Sequence, residues 1–141
     1  MTYAVKADMQ AEFGDTELAQ LTDRTNGQVT DDNVLTLALT RADDEINSYV
    51  GQKYTLPFTS VPTRLKAVGM DIARYYLYDA RAPQIVSDRY KAAVAWLKDV
   101  ATGKAAVGVD AGSNLIPAAT GSLISVQASD QVFTDDLFCR T

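Results

Sequence analysis

The stretch VPTRLKAVGMDIARYYLYDAR, residues 61–81, constrains this chain most. Pro62 suits the first turn of a helix, because its ring presets φ and its missing N–H would have no intrahelical partner there. Leu65, Val68, Ile72 and Tyr75 then recur at three- and four-residue spacing and mark one apolar stripe. Ala73, Tyr76, Leu77 and Ala80 form a second stripe beside it, and Arg64, Lys66, Asp71, Arg74 and Asp79 leave only a narrow polar side. A helix apolar over so much of its circumference belongs in the middle of a bundle. Pro83 disfavours helical geometry at Ala82, so the helix is expected to stop near there.

Two long helices and two short ones flank it. Thr30 or Asp31 is placed to cap a helix whose buried face holds Val34 or Leu35, Ala38, Leu39, Ala42, Ile46, Tyr49 and Val50. Arg41, Asp43, Asp44, Glu45 and Asn47 fall mostly on its other side, and Gly51 ends it. After Pro83, a further helix presents Val86, Tyr90, Ala93 or Val94, Leu97 and Val100 or Ala101, and terminates at Gly103. At the start of the chain, Val5, Met9 and Phe13 form a short apolar row closed by Gly14 in a left-handed conformation. Asp15 then caps DTELAQLTD, with Leu18 and Leu21 turned inward. Both short helices must dock on the long ones to persist. Asn26-Gly27 marks a turn, and Tyr54, Leu56 and Phe58 in QKYTLPFTS are expected to cover one end of the bundle. The facing stripes predict that Leu39, Ile46, Ile72, Tyr76, Val94 and Leu97 are buried together.

Beyond Gly103 the composition shifts to Gly, Ser, Ala and Thr without a helical stripe. Residues 122–126 and 131–133 have the character of short strands. The fold expected is therefore mainly α, a small helical bundle of three long and two short N-terminal helices over residues 1–103, with an extended, partly β C-terminal arm over 104–141. Such an arm has too little apolar surface to offset its ordering entropy alone. It is expected to order against a partner, with Leu123, Ile124, Val126, Val132 and Phe133 as contact residues. Tyr78, which falls off the core stripes, is assigned to an interface, and Arg74, a neighbour of Asp71 at i, i+3, to an ion pair or an intersubunit contact.

Function classes are narrowed chiefly by what the 141 residues contain. There is no histidine, which removes the commonest general base and the commonest zinc ligand together. The net charge of −5 disfavours a dedicated nucleic-acid binder, whose affinity comes from Lys and Arg neutralising phosphates. No apolar run approaches the roughly 20 residues needed to cross a bilayer, so no membrane partner is expected. The one cysteine, Cys139, has no intrachain partner and no histidine to activate it. A disulfide scaffold is thereby excluded, and synthesis in a reducing cytoplasm is expected. Asp43-Asp44-Glu45 is an acidic run, but consecutive helical residues stand about 100° apart and do not converge on one ion, so it reads as a solvated face. No phosphate loop or serine elbow is present. The expectation is a protein with no enzymatic activity, no cofactor and no metal.

Taken together, FGDTEL, the Y-x-L-P after the helix that Gly51 ends, DIARYYLY, RYKAA followed by L-x-x-V-A-x-G, and the terminal VFTDDL resemble a domain-of-unknown-function family encoded in Mu-like phages and prophages. That family is similar in layout to the head–tail connector (adaptor, head-completion) proteins of long-tailed phages. The resemblance implies a virion protein of the neck, at the capsid portal vertex: a homo-oligomeric ring, commonly a dodecamer of about twelve subunits. The portal protein and the next neck or tail-terminator protein would be its partners, and genomic DNA would meet it only while passing through the lumen. The acidity fits a conduit wall that does not hold phosphate. The alternative is a small acidic interaction domain that binds a partner protein through its C-terminal arm.

Overall fold

The computed structural model describes residues 1–108. Among them are five α-helices: α1 (Lys6–Phe13), α2 (Asp15–Thr22), α3 (Asp32–Val50), α4 (Thr63–Tyr78) and α5 (Gln84–Ala101), with a single 3₁₀ turn over Asp79–Arg81. The fold is mainly α, as the sequence implies. Helix α4 packs on both α3 and α5, which also meet each other, while α2 contacts α3 and α4 and is joined in turn by α1. Leu35, Leu39, Ile46, Val50, Leu65, Val68, Ile72, Leu97 and Val100 are buried in one continuous core. That core is the reason the helices persist, since propensity alone stabilises stretches this short only marginally.

Local chemistry sets the boundaries. Asp31 caps α3, its Oδ1 accepting from Asn33 N–H at 2.9 Å and Val34 N–H at 3.4 Å. Asp31 N–H is held in turn by the Thr22 hydroxyl oxygen at 2.9 Å, which joins the end of α2 to the start of α3. The Asn26-Gly27 turn is built around Asp23, whose carboxylate accepts from the N–H groups of Thr25, Asn26 and Gln28. Gly27 takes a positive φ of 63° there. Tyr54 and Phe58 are buried in the core with their ring centroids 5.8 Å apart, and Leu56 packs against it partly buried.

Several details differ from the sequence expectation. Val5 is the N-cap of α1 and is half exposed, because Tyr3 and Ala4 take the buried positions at the N-terminus. Gly14, not Asp15, is the N-cap of α2. With φ 86° and ψ 155° it links α1 to α2 in an extended glycine geometry, not the left-handed helical one. The α geometry of α4 ends at Tyr78, four residues before Ala82, and the 3₁₀ turn leaves Ala80 exposed. On α5 Ala93, not Val94, faces the core, and Tyr76 is only half buried. The small Ala93 permits close approach to α5, whereas Val94 stands about 100° further round the helix.

The chain does not leave the core at Gly103. Lys104 and Ala105 N–H groups both bond to the Asp99 carbonyl, and Val107 is buried with its N–H 3.4 Å from the Tyr54 hydroxyl. The expected strands, and Leu123, Ile124, Val126, Val132, Phe133 and Cys139, lie outside the described residues.

Candidate functional site

Helix α4 places Arg74 and Tyr78 one turn apart and directs both at α2. Glu17 Oε1 accepts from Arg74 Nε at 2.7 Å and from the Tyr78 hydroxyl at 3.1 Å. The guanidinium also lies 4.4 Å from the centroid of the Phe13 ring. Arg74 keeps only 16% of its side-chain exposure and Glu17 25%, so water screens this pair less than the exposed Lys6–Asp32 pair. Burial and the Glu17 carboxylate raise the Tyr78 phenol above its ordinary range. The structure thus joins the two interface residues singled out on α4, through a residue on α2 that sequence reasoning did not select. Arg74 does not pair with Asp71, which instead stands 3.5 Å from Arg89 of α5.

Beside Tyr78 a cleft of about 620 Å³ opens between the end of α2 and the turn after α4. Leu21 and Leu77 form its apolar side, and Arg24 and Arg81 are exposed at its rim. Asp79 lies on the cleft wall with φ 52° and ψ −131°, a backbone region that suits glycine and costs an aspartate about 1–3 kcal/mol. Its N–H bonds to the Tyr75 carbonyl, so the turn is held in this shape.

A second polar cluster sits between the three long helices. Glu45 of α3 accepts from the Tyr76 hydroxyl at 2.5 Å and from the Tyr90 hydroxyl at 3.1 Å. The ring of Tyr90 stacks on Tyr75, with centroids 4.0 Å apart and planes 7° from parallel. A third cluster anchors the N-terminus. Tyr3 is buried, its N–H bonding to Asp43 Oδ1 at 3.0 Å and its hydroxyl to Asn47 Oδ1 at 2.6 Å. Asp43, Glu45 and Asn47 are therefore not a solvated face. Asp43 is buried, and each of the three accepts from a residue distant in sequence. Among the described residues no group of three or more His, Cys, Asp or Glu side chains is placed to hold a metal ion.

These tyrosines give the fold a defined alkaline limit. Burial, then the Asp43 charge, pushes the Tyr3 phenol up to about 12, and Tyr76 and Tyr90 are raised by burial and by Glu45. A raised phenol binds its proton more tightly in the folded state. Its contribution is complete below the unfolded value of about 10 and is lost as pH climbs through the folded value. Unfolding free energy should therefore fall steadily above about pH 10. Tyr3→Phe should flatten that fall relative to wild type, and an unchanged alkaline slope would contradict the assignment.

Comparison with known proteins decides the affiliation. The family described as Bacteriophage Mu, Gp36 matches residues 3–126, including α1 to α5 in full. The chain belongs to the phage Mu Gp36 family. It is 32% identical over 135 residues to gene product J of Escherichia phage Mu, covering 95% of each chain. It is 30% identical over 92 residues to the Mu-like prophage FluMu protein gp36 of Haemophilus influenzae, covering 65% of each. A phage Mu family is what the ordered motifs of the sequence imply. The Gp36 match extends over the clusters at Glu17, Glu45 and Tyr3 and over the cleft. Among the described residues, no helix of this Gp36-family chain is long and apolar enough to cross a membrane.

Proposed function

We propose that this protein is a structural, non-enzymatic subunit of the phage neck, forming a ring at the portal vertex that links the DNA-filled head to the tail. The observation that carries the reading is the near full-length match to a phage Mu family. This chain is acidic, and its described residues form a helical body around one core. Ring subunits need rigid bodies, because a closed ring accumulates any error in the angle between neighbours. The Glu45 and Glu17 clusters supply that rigidity by fixing α4 against α3, α5 and α2. Arg74 and Tyr78 hold the shape of an outward surface. Leu123, Ile124, Val126, Val132 and Phe133 form the apolar contacts of the arm with the portal or an adjacent subunit. Burying four such side chains contributes about 1.5–3 kcal/mol each before ordering costs. Those costs are smaller where adjacent subunits align the arm.

Deleting residues 120–141 should leave the melting transition of the helical body nearly unchanged while abolishing joining of heads to tails. Normal head–tail joining by the truncated protein would show that the arm is dispensable and would overturn its role here.

A further inference from the structure

Among the described residues Asp43 is the only charged side chain that is buried, with 9% of its surface exposed. Burying an ionised carboxylate is costly unless an opposite charge pairs with it. No described Lys or Arg pairs with Asp43; Lys6 is held by Asp32 at 2.6 Å and Lys66 by Asp8 at 3.1 Å. What meets the carboxylate is the N-terminal strap, residues 1–5. Its Tyr3 N–H bonds to Asp43 Oδ1 at 3.0 Å, and the Tyr3 hydroxyl bonds one turn further along α3, to Asn47. On its other side the strap lies against Gly69 of α4, which brings no charge. A groove of about 330 Å³ runs between strap and α3, past Val5, Leu35 and Leu39 to Asp43. Protons thus reach the carboxyl without any opening of the core.

We propose that residues 1–5 form a pH-sensitive strap, which docks tightly on α3 while the Asp43 carboxyl is neutral and loosens when it ionises. The Tyr3 N–H needs only an oxygen acceptor, which the neutral carboxyl supplies without a buried charge. Burial raises the Asp43 carboxyl above the ordinary carboxylate range, and the adjacent Asp44 adds to this. The Tyr3 N–H, the Met1 amino group and Thr2 oppose the rise without cancelling it. A raised carboxyl binds its proton more tightly when the strap is docked. Docking is therefore strongest below the undocked value of about 3.9 and weakens as pH climbs through the docked one. The Tyr3 phenol, pushed up to about 12, stays neutral over this window. Asp8 and Asp32, which also hold the strap and the start of α1, titrate in the opposite sense as their ion pairs are lost. The test must separate their effect from that of Asp43.

Asp43→Asn makes that separation, because asparagine keeps an acceptor for the Tyr3 N–H and carries no charge at any pH. In full-length protein, amide hydrogen exchange over residues 1–13 is compared between wild type and Asp43→Asn at matched pH. Intrinsic exchange and the titration of Asp8 and Asp32 then cancel in the ratio. At about pH 7 the variant's strap should be protected at least about threefold better than that of wild type. The ratio should fall toward one as pH drops to about 4, where the wild-type carboxyl takes up its proton. Exchange in α3 to α5 should stay slow in both proteins. A ratio that does not change with pH would overturn the proposal. So would a strap that opens in Asp43→Asn at neutral pH, because the charge itself would then be what holds it. Loss of slow exchange in the long helices of Asp43→Asn would contradict it equally, since the neutral side chain is the form that docking favours.

Discussion

Ile72→Ala lowers the unfolding free energy by about 2–5 kcal/mol. Ile72 is fully buried on α4, the helix that contacts both other long helices. Removing three carbons there costs their transfer free energy and leaves a cavity. Because α3, α4 and α5 are each pinned by polar ties through Glu45, the surrounding helices cannot collapse freely into that space. The cost should therefore fall in the upper half of the range. Ile85 of α5 provides the comparison, since it is 65% exposed and Ile85→Ala should change stability by no more than about 0.5 kcal/mol. Chemical denaturation at unchanged m-value checks both, and a loss at Ile72 no larger than that at Ile85 would show that this face is not core.

Tyr3→Ala should cost about 3–5 kcal/mol, an unusual penalty so close to a chain end. The ring is 1% exposed and packs beside Gly69, where a Cβ would stand 3.5 Å from the Tyr3 Cβ. Its hydroxyl bonds to Asn47 and its N–H to Asp43, so the residue fixes the N-terminal segment to α3. Tyr3→Phe separates the two contributions. It keeps the buried ring and loses one hydrogen bond, for about 1 kcal/mol. Hydrogen exchange in α1 should rise in the alanine variant well before the three long helices open. If Tyr3→Ala costs no more than Tyr3→Phe, the N-terminal segment is not part of the cooperative fold.

The five helices were legible because their apolar residues repeat with the helical period and Pro62, Pro83, Asp31 and Gly51 punctuate them. What periodicity cannot read is a polar residue facing inward. Asp43, Glu45 and Asn47 looked like a solvated face because each partner lies at least 31 residues away in sequence. Arg74 showed the same blindness. Its neighbour Asp71 was visible at i, i+3, whereas Glu17, 57 residues away, was not. At α5 the pattern allowed Ala93 or Val94, because adjacent helical positions can both border an apolar stripe and periodicity alone does not separate them. Tyr78 was recognisable as a residue left off the core stripes, but the cleft beside it depends on the Asp79 turn, which no propensity foretells. The family itself was readable from the order of its motifs, and the match over residues 3–126 shows it.

Imaging of phage particles tests most directly whether this chain forms the proposed ring between head and tail. Particles carrying a small fused tag on this protein should show one tag-dependent ring of density at the portal vertex, between capsid and tail. Particles lacking the protein should show filled heads and free tails. Tag density elsewhere on the particle, or mature particles that contain none of this chain, would contradict the account.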